Sequence, residues 1–156
     1  MENSLVSNTL SAISTSDSLQ KGDIIFVDKG LYKHYGIYAG NGVVVHYSDK
    51  NGNFGTDIKI QEASLDDFAS GFEVKVCQLD EKKYTLYSGE ETLKRAYSRL
   101  GEKNYNLIFN NCEHFAVWCK TGISDSDQVN KVIRTAVVLS IGALAYTVIK
   151  KIIEDE

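Results

Sequence analysis

His34-Tyr35-Gly36-Ile37-Tyr38-Ala39-Gly40-Asn41-Gly42-Val43-Val44-Val45-His46-Tyr47-Ser48 decides the fold class of this chain. Two runs rich in β-branched and aromatic residues flank Asn41-Gly42, the strongest short hairpin signal available, because both central residues tolerate positive φ. The hairpin carries two of the three histidines in the sequence. A two-residue turn at Asn41-Gly42 offsets His34 from His46 by three positions, so only a bulge or a longer loop would let them join one cluster.

Working outward, Gly22 to Val27 predicts a strand, apolar and β-branched after a turn residue. Asp57 to Gln61 and Glu73 to Leu79 alternate polar with apolar residues, the period of half-buried strands. Ser64 to Phe68 reads as a short capped helix or turn. Ser88, followed three residues later by Glu91, forms a capping box. It opens a helix whose stripe is Leu93, Ala96, Tyr97 and Leu100, ended by Gly101. Strands first and helices after predict an α+β domain with an antiparallel sheet packed against helices.

Asn110-Asn111-Cys112-Glu113-His114-Phe115-Ala116-Val117-Trp118-Cys119 then reads as a helix start, capped by Asn110 or Asn111. Cys112, Phe115, Ala116 and Cys119 recur at the helical interval, with Gly122 as the stop. A thiol in the first turn feels the positive end of the helix dipole, which favours the thiolate. The competing reading is a buried cysteine acting as a small hydrophobe, as Cys77 is read.

Composition bounds the partners. The 156 residues carry a net charge of −4 and a pI near 5.4, which argues against nucleic acid. Three cysteines without a CxxC pair make neither a disulfide framework nor a zinc ribbon and fit a reducing compartment. His34, His46, His114 and Cys112 are too scattered to suggest a zinc site, and no cofactor is expected. Residues 1–20 read as a flexible polar lead-in that resembles neither a secretory signal nor a transit peptide.

Cysteine catalysis needs a base beside the thiol, and the imidazole needs a third group to orient it. Cys112, His34 and His46 offer those roles. The Cys112 amide would hold an oxyanion, and Tyr32 is a candidate to support it with a hydroxyl.

Tyr32 to Gly40, Val44-Val45-His46 and Asn111-Cys112-Glu113-His114-Phe115 together resemble the lecithin:retinol acyltransferase-like family, which includes small phospholipase/acyltransferases. The twelve-residue separation of the histidines is the spacing that family requires. The resemblance implies a permuted papain-like fold of the NlpC type over about residues 21–124. It also implies Cys112 as nucleophile, His34 as general base, His46 as orienter, and a structural role for His114. Tyr35 stands where family members often have Trp. The implied activity is cleavage of a glycerophospholipid acyl ester through a thioester, with transfer to an amine, a hydroxyl or water. An NlpC-type cysteine peptidase or amidase and a tail-anchored interaction protein are the rival expectations.

Residues 125–156 are expected to form a C-terminal helix. Thr135 to Ile149 is uncharged and flanked by Lys131, Arg134, Lys150 and Lys151. Extended to 132–153 it makes a marginal membrane span, its flanking cations snorkelling. Such an anchor would put the catalytic domain on the cytoplasmic face of a membrane, in contact with a phospholipid acyl donor.

Overall fold

The computed structural model describes residues 19–49, 57–103 and 108–140. The elements in chain order are β1 (Ile24–Asp28), β2 (Lys33–Gly40), β3 (Val43–Ser48), β4 (Lys59–Ser64), α1 (Leu65–Ala69), β5 (Val74–Gln78), α2 (Gly89–Ser98), α3 (Ile108–Thr121), α4 (Ser126–Arg134) and β6 (Val137–Ser140). The strands form one antiparallel sheet in the order β4-β3-β2-β1-β5-β6. An α+β architecture is therefore what the chain adopts.

Strand alternation sends residues to two cores. Ile24, Phe26, Tyr35, Ile37, Val45, Tyr47 and Ile60 pack with Cys112, Phe115, Ala116 and Cys119 of α3. Ile25, Val27, Tyr38 and Val44 pack on the other face with Phe68 of α1. Both predicted caps form: Ser64 Oγ accepts from Asp67 N at 3.0 Å, and Ser88 Oγ from Glu91 N at 3.1 Å. In α2 the buried face is Thr92 and Ala96, while Leu100, read as part of the stripe, is exposed. Arg95 ties α2 to α3, its guanidinium 3.9 Å from the Trp118 ring centroid and bonded to the Trp118 carbonyl.

The hairpin contains the irregularity that the turn register demands. Gly40 pairs with Val43, but Tyr38 pairs with Val44, leaving Ala39 as an extra residue. Gly40, at φ +89°, takes a backbone state that a side chain would strain. Beyond the bulge, even-numbered residues of β2 share a face with even-numbered residues of β3. His34 and His46 thereby reach the same side.

The tail departs from expectation. Val137 to Ser140 form an edge strand on β5, not part of a helix, so a continuous apolar helix through 132–153 is overturned at that point. Ladder bonds to β5 satisfy this β-branched stretch. Among the described residues no helix is long and apolar enough to cross a membrane. The remainder of that predicted span, residues 141–153, and the lead-in up to residue 18 lie outside the described residues.

Candidate active site

β2 and β3 part company at one end of the hairpin. Their pairing stops at Ile37↔Val45, although β2 continues back to Lys33 on β1 and β3 continues to Ser48 on β4. Tyr38 exchanges backbone bonds with Gly22 and Asp23 on the β1 side, so odd-numbered β2 residues turn their N–H and C=O toward β3. Lys33 and Tyr35 therefore aim backbone groups into the opening. The Cys112 thiol occupies it: Sγ donates to the Lys33 carbonyl at 3.8 Å and receives the Tyr35 N–H.

The two imidazoles meet beside this opening. His34 Nε2 and His46 Nδ1 lie 2.7 Å apart, with both rings buried. Phe68, which sequence reasoning missed as a site residue, underlies them at ring-centroid distances of 5.3 and 5.1 Å. Its only sequence signal was an aromatic one turn after the Ser64 cap. Gly36 makes the approach possible, since a Cβ there would stand 2.7 Å from Val44 Cγ1 and 3.2 Å from His46 Cβ. The structure thus joins His34 to His46 and seats Cys112 on the backbone flanking His34. Tyr32 stands close enough for a thiolate at Cys112 to raise the pKa of its hydroxyl, after burial.

Two local expectations are corrected. Helix α3 begins at Ile108, so Asn110 and Asn111 lie within it and Cys112 is its fifth residue. Its amide then falls beyond the four N–H groups that a helix start leaves free. Tyr35 N–H, on the side of β2 from which β3 parts, joins the amides of Glu113 and Cys112 in facing the sulfur. The thiol is also not acidified. Burial raises the Cys112 pKa, outweighing the amides of Tyr35, Glu113 and Cys112 that pull it down. At rest the thiol and both imidazoles are neutral.

His114 lines a cavity of about 430 Å³ with Tyr47, Arg99, Glu102 and Trp118, away from the imidazole pair. Cys77 and Cys119 are buried, and burial pushes their thiols up to about 11 and about 12. Among the described residues no group of His, Cys, Asp and Glu is arranged to hold a metal ion.

Burial pushes His34 down to about 4 and His46 down to about 3, with nearby Lys29 contributing to both and His34 to His46. The unfolded chain, with ordinary values near 6.5, binds protons first as pH falls. This contribution is therefore complete above pH 6.5 and is lost between 6.5 and about 3. The slope is up to about 1.4 kcal/mol per pH unit for each histidine. Asp23 and Glu113, whose pKa values burial raises, act in the opposite sense. Urea unfolding at pH 7 and pH 5 should show wild type losing stability that the His34→Gln/His46→Gln variant does not lose. Equal slopes in both proteins would refute the buried neutral pair.

With this geometry in place, comparison with known proteins is decisive about kinship. The sequence profile of the lecithin retinol acyltransferase family matches residues 17–125. The chain belongs to the lecithin retinol acyltransferase family. It is 33% identical to lecithin retinol acyltransferase of Rattus norvegicus over 79% of this chain and 63% of that protein. The Bos taurus enzyme of the same name is 35% identical over 80% and 63%. Phospholipase A and acyltransferase 3 of Homo sapiens is 31% identical over 82% of this chain and 86% of its own length. The chain therefore spans under two thirds of the lecithin retinol acyltransferases it matches. Within the family match lie His34, His46 and Cys112, together with the parted strands that hold them.

Proposed function

We propose that this protein is a thiol-dependent acyltransferase and phospholipase acting on glycerophospholipids. The observation that carries the reading is the thiol seated on the backbone either side of His34, while His46 holds the His34 ring at 2.7 Å. Family relatives named acyltransferase and phospholipase support the reaction class.

His34 Nε2 is engaged by His46, which leaves Nδ1 as the nitrogen to take the thiol proton. Sγ attacks the acyl carbonyl, and the tetrahedral oxyanion takes the Tyr35 N–H, with the Tyr32 hydroxyl nearby. Collapse breaks the ester C–O bond. His34 returns the proton to the departing glycerol oxygen, giving a lysophospholipid and a Cys112 thioester. An amine, a hydroxyl or water then attacks the thioester and regenerates the thiol.

A neutral resting thiol suits this sequence, because proton removal and attack are coupled and no free thiolate waits in the site. An odd number of cysteines without a CxxC pair fits a reducing compartment, and we place the domain on the cytoplasmic side of a membrane.

Incubation with mixed phospholipid vesicles should add an acyl mass to the intact wild-type protein. Neutral hydroxylamine should remove it, and Cys112→Ala should never acquire it. Absence of both adduct and released fatty acid from folded, vesicle-bound protein would move the assignment to a peptidase or an interaction module.

A further inference from the structure

The nucleophile that a bilayer lipid must reach is 0% exposed. The turn between β1 and β2 runs directly into the strand that holds it: Lys33 supplies the carbonyl the thiol bonds, and Tyr32, one residue earlier, is half-buried. The neighbouring residue behaves in the opposite way. Leu31 is 97% exposed at the tip of the turn, the most exposed large apolar side chain described. Gly30 sits beside it at φ +87° with open space around its Cα, and the turn is closed by Lys29 N–H donating to the Tyr32 carbonyl at 3.0 Å.

The rest of this sheet end has the same character. Val27 pairs with Val74, which brings Phe72, 44% exposed, to the same end. Ser140 pairs with Lys75, so β6 also finishes there. The charges nearby are Asp28, Glu73 and Glu113 against Lys29, Lys33 and Lys75, three of each sign. An apolar tip on an electrically balanced rim fits a zwitterionic lipid surface better than a charged partner.

We propose that the β1–β2 turn is a lipid-docking lid, in which Leu31 enters the bilayer interface and draws Tyr32 away from Cys112. The inference rests on the phospholipid reading above and adds where the protein meets its substrate's surface. Docking and opening are one motion, because Leu31 and Tyr32 are adjacent on a turn hinged at Gly30.

The test measures thiol access rather than turnover. Alkylation of Cys112 by iodoacetamide, followed by peptide mass, is timed with and without phosphatidylcholine vesicles. Vesicles should accelerate wild-type alkylation, and Leu31→Asp should abolish the acceleration without changing the vesicle-free rate. Leu31→Phe should retain it. Vesicle affinity should fall about tenfold or more in Leu31→Asp, the factor expected for losing one buried leucine. Adding phosphatidylglycerol should change little. Equal acceleration in wild type and Leu31→Asp, no acceleration in either, or docking that demands phosphatidylglycerol would overturn the proposal. Leu31-dependent access without any acyl adduct would uphold docking and instead refute the acyltransferase reading.

Discussion

His34→Gln is expected to lower acyl transfer by about a thousandfold, within the range that a positioned general base contributes. The reason is a proton count on the imidazole pair. For His34 Nδ1 to accept from the thiol, the His34 proton must reside on Nε2 and be donated to His46 Nδ1, 2.7 Å away. The His46 proton must then be on Nε2, which among the described residues has no hydrogen-bond partner. The pair therefore has one productive direction, and a neighbour that can only accept keeps it. His46→Leu removes the acceptor and should approach the loss seen with His34→Gln. His46→Asn still offers an amide oxygen and should recover part of the rate. Single-turnover acylation checks this, with circular dichroism confirming folding. Retention of more than about a tenth of wild-type rate by His34→Gln would remove it as the base.

The largest stability loss should come from a glycine far from the thiol. Gly22 and Gly89 touch backbone to backbone where the start of the sheet meets the first residue of α2. A Cβ on Gly22 would stand 2.4 Å from Gly89 Cα, and one on Gly89 would stand 2.1 Å from the Lys21 carbonyl oxygen. Neither obstacle is a side chain that can swing aside. Gly22 also adopts φ +87°, so Gly22→Ala adds conformational strain to the clash. The two effects together should cost about 3–5 kcal/mol, a large share of a typical domain's stability. For a chain of this size that corresponds to a fall in Tm of roughly 10 °C. Gly30→Ala is the control: it shares the positive φ but has nothing within 4 Å, and it should lose only the strain. Similar Tm values for the two variants would show that the backbone contact is not constraining.

Much of this architecture was legible because it rests on local chemistry. Asn41-Gly42 announced the hairpin, Ser64 and Ser88 announced their helices, and alternation located β4 and β5. The features that escaped depend on distant partners. Phe68 looked like an ordinary helix hydrophobe, because only folding reveals that β2 and β3 bring two imidazoles onto it. The depressed acidity of Cys112 escaped because helix position was read without burial, and burial wins. Asn110 and Asn111 looked like caps, yet α3 starts earlier, at Ile108. Val137 to Ser140 looked helical by apolarity alone, which does not distinguish a helix from an edge strand when β5 offers a free side.

The extra residue at Ala39 gives the histidine spacing a reading frame. Twelve residues is an even count, and an even count across an unbulged two-residue hairpin would leave one imidazole on each side of the sheet. The spacing is therefore a record of chain parity rather than of distance. One residue inserted into either strand between the histidines would rotate one ring out of the pair, while two inserted residues would restore the frame at the cost of a longer hairpin. Drift in hairpin length among proteins built this way should accordingly come in steps of two, or in single steps offset by gain or loss of the bulge.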